Sequence, residues 1–270
     1  MNFPEPNPRS FAAGALQASA KLWYLTAVAG QWLFVLYIAG FYGPTVVTGH
    51  YELWARNRNL IDGYVAGDAV GNSFFAAHVM LAAVLTFGGA LQLVPQIRDR
   101  VIAFHRWNGR LFMVAAISAA SAGLYLQWVR GTAFHSRFAE ALGTTLNGLL
   151  IFTFAGLAWR AVRRKDIDTH QRWATRLFLV VNGVWFLRVG FRAWMLVTHG
   201  AFGAQPFFTF WSFGSYLLPL AMYQWYLHAK ERGRNAEQLA AAGSLVALAL
   251  LMGAGAGVTF VRTWRPLLLM

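Results

Sequence analysis

Hydrophobic positions fall in long unbroken runs separated by short polar segments, with no alternation of apolar and polar residues inside the runs. The first run covers about Leu22 to Val47, the second Ser73 to Gln96, the third Leu111 to Val129 and the fourth Thr144 to Arg160. Three more follow, at about Leu177 to Thr198, Phe207 to His228 and Leu239 to Val261. A helix needs about 20 apolar residues to cross a bilayer, whereas a transmembrane strand would alternate over about ten. The pattern predicts an all-α, polytopic integral membrane bundle of about seven transmembrane helices. One bundle domain is expected over residues 22–261, after an N-terminal cytoplasmic segment at 1–21 and before a short C-terminal tail at 262–270.

Composition points the same way. Of 270 residues, 57% are hydrophobic and 12% charged, about half the charged share of a soluble domain. The net charge of +13 would suggest nucleic acid in a soluble protein, but the placement of the charges argues for a bilayer instead. They gather in three short segments: Arg98 to Arg110, Arg160 to Arg176, and Lys230 to Arg234. These follow the second, fourth and sixth runs, so all three fall on one side, which the positive-inside rule names the cytoplasm. The N-terminus, with Arg9 and Lys21, joins them there, while Arg262 and Arg265 at the far end run against the rule. The expectation is a multi-pass protein of the bacterial inner membrane, with lipid as its surroundings and no nucleic-acid partner. Cysteine is absent, which excludes disulfides, thiolate metal sites and covalent haem attachment. Met1 to Ala20 lacks the basic-then-apolar pattern of a cleaved signal, so the first helix is expected to stay in the mature protein.

Candidate chemistry lies in a short echo. His105-Arg106-Trp107 and His170-Gln171-Arg172-Trp173 each open a helix after a basic loop, with Gly109 and Ala174 one turn on from the histidines. His78 repeats the arrangement with Ala82 inside the second run. Positions four apart share a helix face, so each imidazole can meet a flat ring unobstructed. Imidazole is a common axial ligand of haem iron. His105 and His170 are therefore candidate ligands of a haem b, with Arg106, Arg110, Arg172 and Arg176 placed to neutralise its propionates. The alternative is that both histidines are interfacial and bond lipid phosphate or helix ends. A second site would use His78 with His199 or His135. Arg188 and Arg192 lie one turn apart in the fifth run. Charge at that depth marks a functional group or a structural pair: the first reading is an anion site, the second an ion pair with Glu140, Glu52 or Asp68. Small residues in the third run (Ala115 to Gly123) and at Gly253, Gly255 and Gly257 suit close helix packing.

The stretch from His78 through Gln92, Pro95 and Arg98 to His105-Arg106-Trp107-Asn108-Gly109-Arg110 resembles a bacterial membrane family, domain of unknown function 2306. His170 to Trp173, Arg176 and Arg188 extend the likeness. The resemblance implies a helical bundle and assigns no activity. There is a weaker similarity to two-haem b-type transmembrane cytochromes, from which the chain departs by having only His78 clearly inside a run. These observations set up three expectations. The first is a haem b redox protein working with a quinone or another membrane redox partner. The second is a carrier or sensor of an anionic amphipath. The third is an accessory subunit of a larger membrane complex or a homo-oligomer.

Overall fold

The computed structural model describes residues 10–57, 63–131, 138–200 and 203–269, and among them every regular element is helical. Helix α1 runs from Phe11 to Tyr37, eleven residues ahead of the expected start at Leu22. Ser10 caps it by accepting a hydrogen bond from the Ala13 N–H at 3.2 Å, and no proline intervenes before Leu22. A π-turn at Ile38–Tyr42 carries it into α2, Gly43–Thr48. The chain then turns back through a 3₁₀ segment, Tyr51–Arg56, that buries Trp54 over the end of the bundle. The Trp54 indole donates to the Thr45 hydroxyl at 2.6 Å, so the burial of its N–H is compensated.

Helix α3 spans Ala69–Gln92, capped by Asp68, and a short α4, Pro95–Arg100, leads to α5, Ile102–Trp128. Helix α5 begins nine residues before the expected Leu111, which puts His105 and Asn108 in its first turns. Helix α6 is Phe138–Arg163. The expected single span at Leu177–Thr198 is instead a bent pair, α7 (Ile167–Val181) and α8 (Gly183–Val197), meeting at 54°. Asn182 makes the break: its side-chain amide donates to the Phe178 carbonyl at 2.8 Å, in competition with the helix backbone. Helix α9 covers Ala204–Arg232 and α10 covers Asn235–Thr259, followed by a π-turn, Phe260–Trp264, and α11, Arg265–Leu268.

Five helical stretches are long and apolar enough to cross a membrane, and the bent α7–α8 pair supplies a sixth. The protein is an integral membrane bundle. Helix α9 is long enough but less apolar, because Gln205, Thr209, Ser212, Ser215 and Gln224 interrupt it. The helices close a ring: α1 lies along α10 and beside α3, α3 packs on α5, α5 on α6, α6 on α7, and α8 on α10. Helix α9 covers the flank made by α6, α7, α8 and α10.

The three basic segments meet at one end. Arg172 pairs with Glu231 at 2.7 Å, His105 and His170 lie within electrostatic range, and Leu16 near the start of α1 packs with Ala229 and Ala241. At this end Asp166 caps α7 through the Thr169 N–H at 3.1 Å. Hydrogen bonding from Thr169, its hydroxyl first and its N–H second, holds the Asp166 carboxyl below its ordinary range. A lowered folded-state value stabilises above the ordinary carboxylate pKa, and the effect is lost as pH falls through the lowered value. Asp166→Ala will therefore speed amide exchange in the first turn of α7 about fivefold at neutral pH. The difference from wild type will vanish in acid, and hydrogen-exchange mass spectrometry at two pH values checks both halves.

Candidate functional site

The basic end brings His105 and His170 within electrostatic range of each other. Each sits in the first turn of its helix, the imidazole of one on α5 and of the other on α7. His170 Nδ1 lies 2.9 Å from the Ala158 carbonyl on α6. A carbonyl only accepts, so Nδ1 carries the proton and Nε2 keeps its lone pair in the neutral ring. Metal-binding histidines are oriented by this kind of bond. His105 Nδ1 is buried with no hydrogen-bond partner, an orphaned polar atom in a protein that satisfies most of its others.

The surroundings differ from the expectation in two ways. Gly109, one turn from His105, faces no open groove: Gln92 Oε1 stands 3.2 Å from where a Cβ would be. The Gln92 amide also donates to the His105 carbonyl at 3.1 Å. Most of the arginines are already engaged. Arg172 is paired with Glu231, and Arg176 donates to Gln224 at 2.9 Å and stacks on Trp173. Arg110 lies over Trp107 at 4.9 Å, whereas Arg106 is exposed and has no such partner among the described residues. Nearby, a cavity of about 170 Å³ is walled by Trp23, Tyr24, Thr175, Tyr223 and Tyr226. That is below the ~300 Å³ of ordinary ligand pockets, and neither histidine lines it.

A second cluster occupies the opposite half of the bundle. His78 Nδ1 is 2.9 Å from the Ala119 carbonyl on α5, which fixes the same tautomer as in His170. Gly123 lets the ring approach, since a Cβ there would stand 3.2 Å from the His78 ring. Arg188 on α8 lies within electrostatic range of both His78 and Tyr37. Its guanidinium stands 5.4 Å over the Phe34 ring and donates to the Val184 carbonyl of its own helix at 3.2 Å. The Tyr37 hydroxyl accepts from the Asn57 amide at 2.8 Å and lies 3.3 Å from the Tyr42 hydroxyl. This face of α8 therefore looks at α1 and α3, into the ring of helices. Yet Val184, one turn from Arg188, keeps 39% of its accessible surface, and His78 and Arg188 are only half-buried.

The carboxylates proposed as partners for Arg188 are occupied elsewhere. Asp68 binds Arg130 at 2.8 Å, Glu52 binds His50 at 2.8 Å, and Glu140 accepts from Thr209 at 2.8 Å. Among the described residues no carboxylate reaches Arg188. A charge at the helix centre costs at least ~2.5–3.5 kcal/mol on insertion scales. Arg192 turns away from Arg188, donating to the Thr263 hydroxyl at 3.1 Å. His199 sits exposed in a left-handed turn after α8 (φ 50°) and makes no contact with His78. His135 lies outside the described residues. Among those described, no three histidine or carboxylate side chains gather as a metal site.

Sequence reasoning missed Phe34, Tyr37 and Asn57 on this second cluster, and Arg130 beside it. The spacing of Phe34, Tyr37 and Phe41 along α1 and the π-turn that follows it was the available signal. No curated protein and no solved structure matches the chain. A family model described as predicted membrane protein, domain of unknown function 2306, matches residues 75–227, a span that holds His78, His105, His170, His199, Arg188 and Arg192, and the chain belongs to that family.

Proposed function

We propose that the protein is a haem b-binding electron-transfer protein of the bacterial inner membrane, with His105 and His170 as the residues that would hold the haem. One observation carries this reading. Two imidazoles from different helices lie within range at one end of the bundle, one with its Nδ1–H anchored on a carbonyl and the other with a buried, unpartnered ring nitrogen. The donor set suits the group: imidazole nitrogens, no thiolate, and arginine at the rim. Bound there, haem supplies one-electron chemistry, and the protein sets its ligation, burial and charge. Ala158 orients His170, Gln92 steadies the first turn of α5 through the His105 carbonyl, and Arg106 is the arginine left to face a propionate. Arg110, Arg172 and Arg176 serve there only by leaving their present partners.

In the same reading α9 is the seventh span, because it runs the length of the bundle against four neighbours. The basic end then faces the cytoplasm with the N-terminus. A quinone or another membrane carrier is the electron partner, and a second haem at His78 would need a ligand other than His199.

A reduced-minus-oxidised absorbance spectrum of the detergent-purified protein, with a pyridine haemochrome assay, tests the proposal. A b-type α-band is expected. His105→Ala and His170→Ala will each abolish it at near-normal expression, and a single haem per chain will leave His78 outside the ligand set. A colourless folded protein, or unchanged absorbance in both variants, sinks the assignment.

A further inference from the structure

We infer that Arg188 is the recognition residue of a second binding site, for an oxyanion headgroup carried into the half of the bundle opposite the basic end. This inference does not depend on the haem reading, since no residue is shared between the two sites. Three observations lead to it. Arg188 faces the interior, held between α1 and α3 by the Phe34 ring and by its proximity to His78 and Tyr37. It has no carboxylate partner among the described residues, and Asp68, Glu52 and Glu140 are engaged by Arg130, His50 and the Gln205–Thr209 pair. The protein does not cover the position beside it: Val184, one turn away on α8, retains 39% of its surface.

A guanidinium in such surroundings presents several N–H donors in a planar fork, of which one is used on the Val184 carbonyl. The fork matches the two oxygens of a carboxylate or phosphate. The flanking walls, Phe34 and Val184, are apolar and suit the carbon skeleton behind such a headgroup. A neutral ligand would leave the charge uncompensated, and a cation would be repelled. Arg192 does not belong to the site, because its guanidinium is bonded to Thr263.

The shared chemistry is an oxyanion, supplied either by a soluble ion or by a membrane amphipath, and one experiment separates the two. Thermal unfolding of the full chain in neutral maltoside detergent is followed while inorganic phosphate, decanoate or dioleoyl phosphatidylglycerol is added. Chloride at matched ionic strength and a phosphatidylcholine are the controls. At least one oxyanion probe will raise the unfolding temperature saturably. Its half-saturating concentration will rise at least tenfold in Arg188→Gln and stay unchanged in Arg192→Gln. A response to phosphate identifies a soluble oxyanion, and a response confined to decanoate or phosphatidylglycerol identifies a lipid-derived one. If Arg188→Gln does not fold, Arg188→Lys keeps the charge but loses the fork, and Val184→Phe fills the space without touching the charge; each will weaken the response severalfold. No stabilisation beyond the controls in wild type, or an undiminished response in the Arg188 and Val184 variants, overturns the inference.

Discussion

Asp68→Ala will destabilise the protein by about 4 kcal/mol, the largest effect expected of any single surface-ward substitution. Two separate losses add. The Arg130 side chain is 5% exposed and Asp68 30% exposed, so truncation leaves a guanidinium almost out of contact with solvent. Breaking a buried pair by removing one partner costs ~3–5 kcal/mol; the residual exposure of Asp68 places this case at the lower end. The same carboxylate caps α3 by accepting from the Gly71 N–H at 2.8 Å, and loss of a cap typically costs ~1 kcal/mol. Arg130 also donates to Asn72 at 2.7 Å, and Asn72 in turn holds both the N–H and the carbonyl of Val65. The loop before α3 is thereby tied to the end of α5 through one charge. Asp68→Asn separates the two losses, because the amide oxygen can still cap the helix while the charge is gone. Denaturant titration monitored by tryptophan fluorescence will rank the three as wild type, then Asn, then Ala. A loss below about 1 kcal/mol in Asp68→Ala would mean that the pair contributes only its cap.

Much of this fold was legible because hydrophobic length is a strong constraint in a bilayer. The helices fall where the apolar runs do, and the basic segments meet at one end as their spacing required. The boundaries were less legible. Residues Phe11 to Lys21 and Ile102 to Arg110 read as polar flanks, yet both are helical, since helix propensity and capping extend a span past its apolar part. The bend at Asn182 had a signal in the Asn182–Gly183 pair, but its 54° angle depends on packing that no local pattern encodes. At the candidate sites, helical spacing placed His105, His170 and His78 one turn from Gly109, Ala174 and Ala82. It could not show that Gln92 occupies the groove beside Gly109, that Arg172 is neutralised by Glu231, or that Arg130 takes the carboxylate once considered for Arg188. Each of those depends on a partner more than ten residues away in sequence.

The glycines of α10 show the same limit and give a sharp expectation. Gly253, Gly255 and Gly257 look equivalent as a small-residue stripe, but their environments differ. A Cβ on Gly255 would collide with the Val189 carbonyl of α8 and stand 3.1 Å from the Ala193 Cβ, so backbone rather than a movable side chain blocks it. One on Gly257 would meet nothing within 4 Å, and one on Gly253 only the Thr26 methyl at 3.3 Å. Gly255→Val will therefore force α8 and α10 apart, at a cost of about 1–3 kcal/mol or more for overpacking against an unyielding wall. Gly257→Ala will be neutral, or stabilising by up to ~0.5–1 kcal/mol, because Ala restricts the unfolded chain and favours the helix. Val189 adjoins Arg188 in sequence, so the displacement will also move the guanidinium away from Phe34. Gly255→Val should thus lower the unfolding temperature and weaken the oxyanion response together, while Gly257→Ala changes neither. Equal tolerance of both substitutions would mean that α8 and α10 do not approach as closely as the Val189 carbonyl requires.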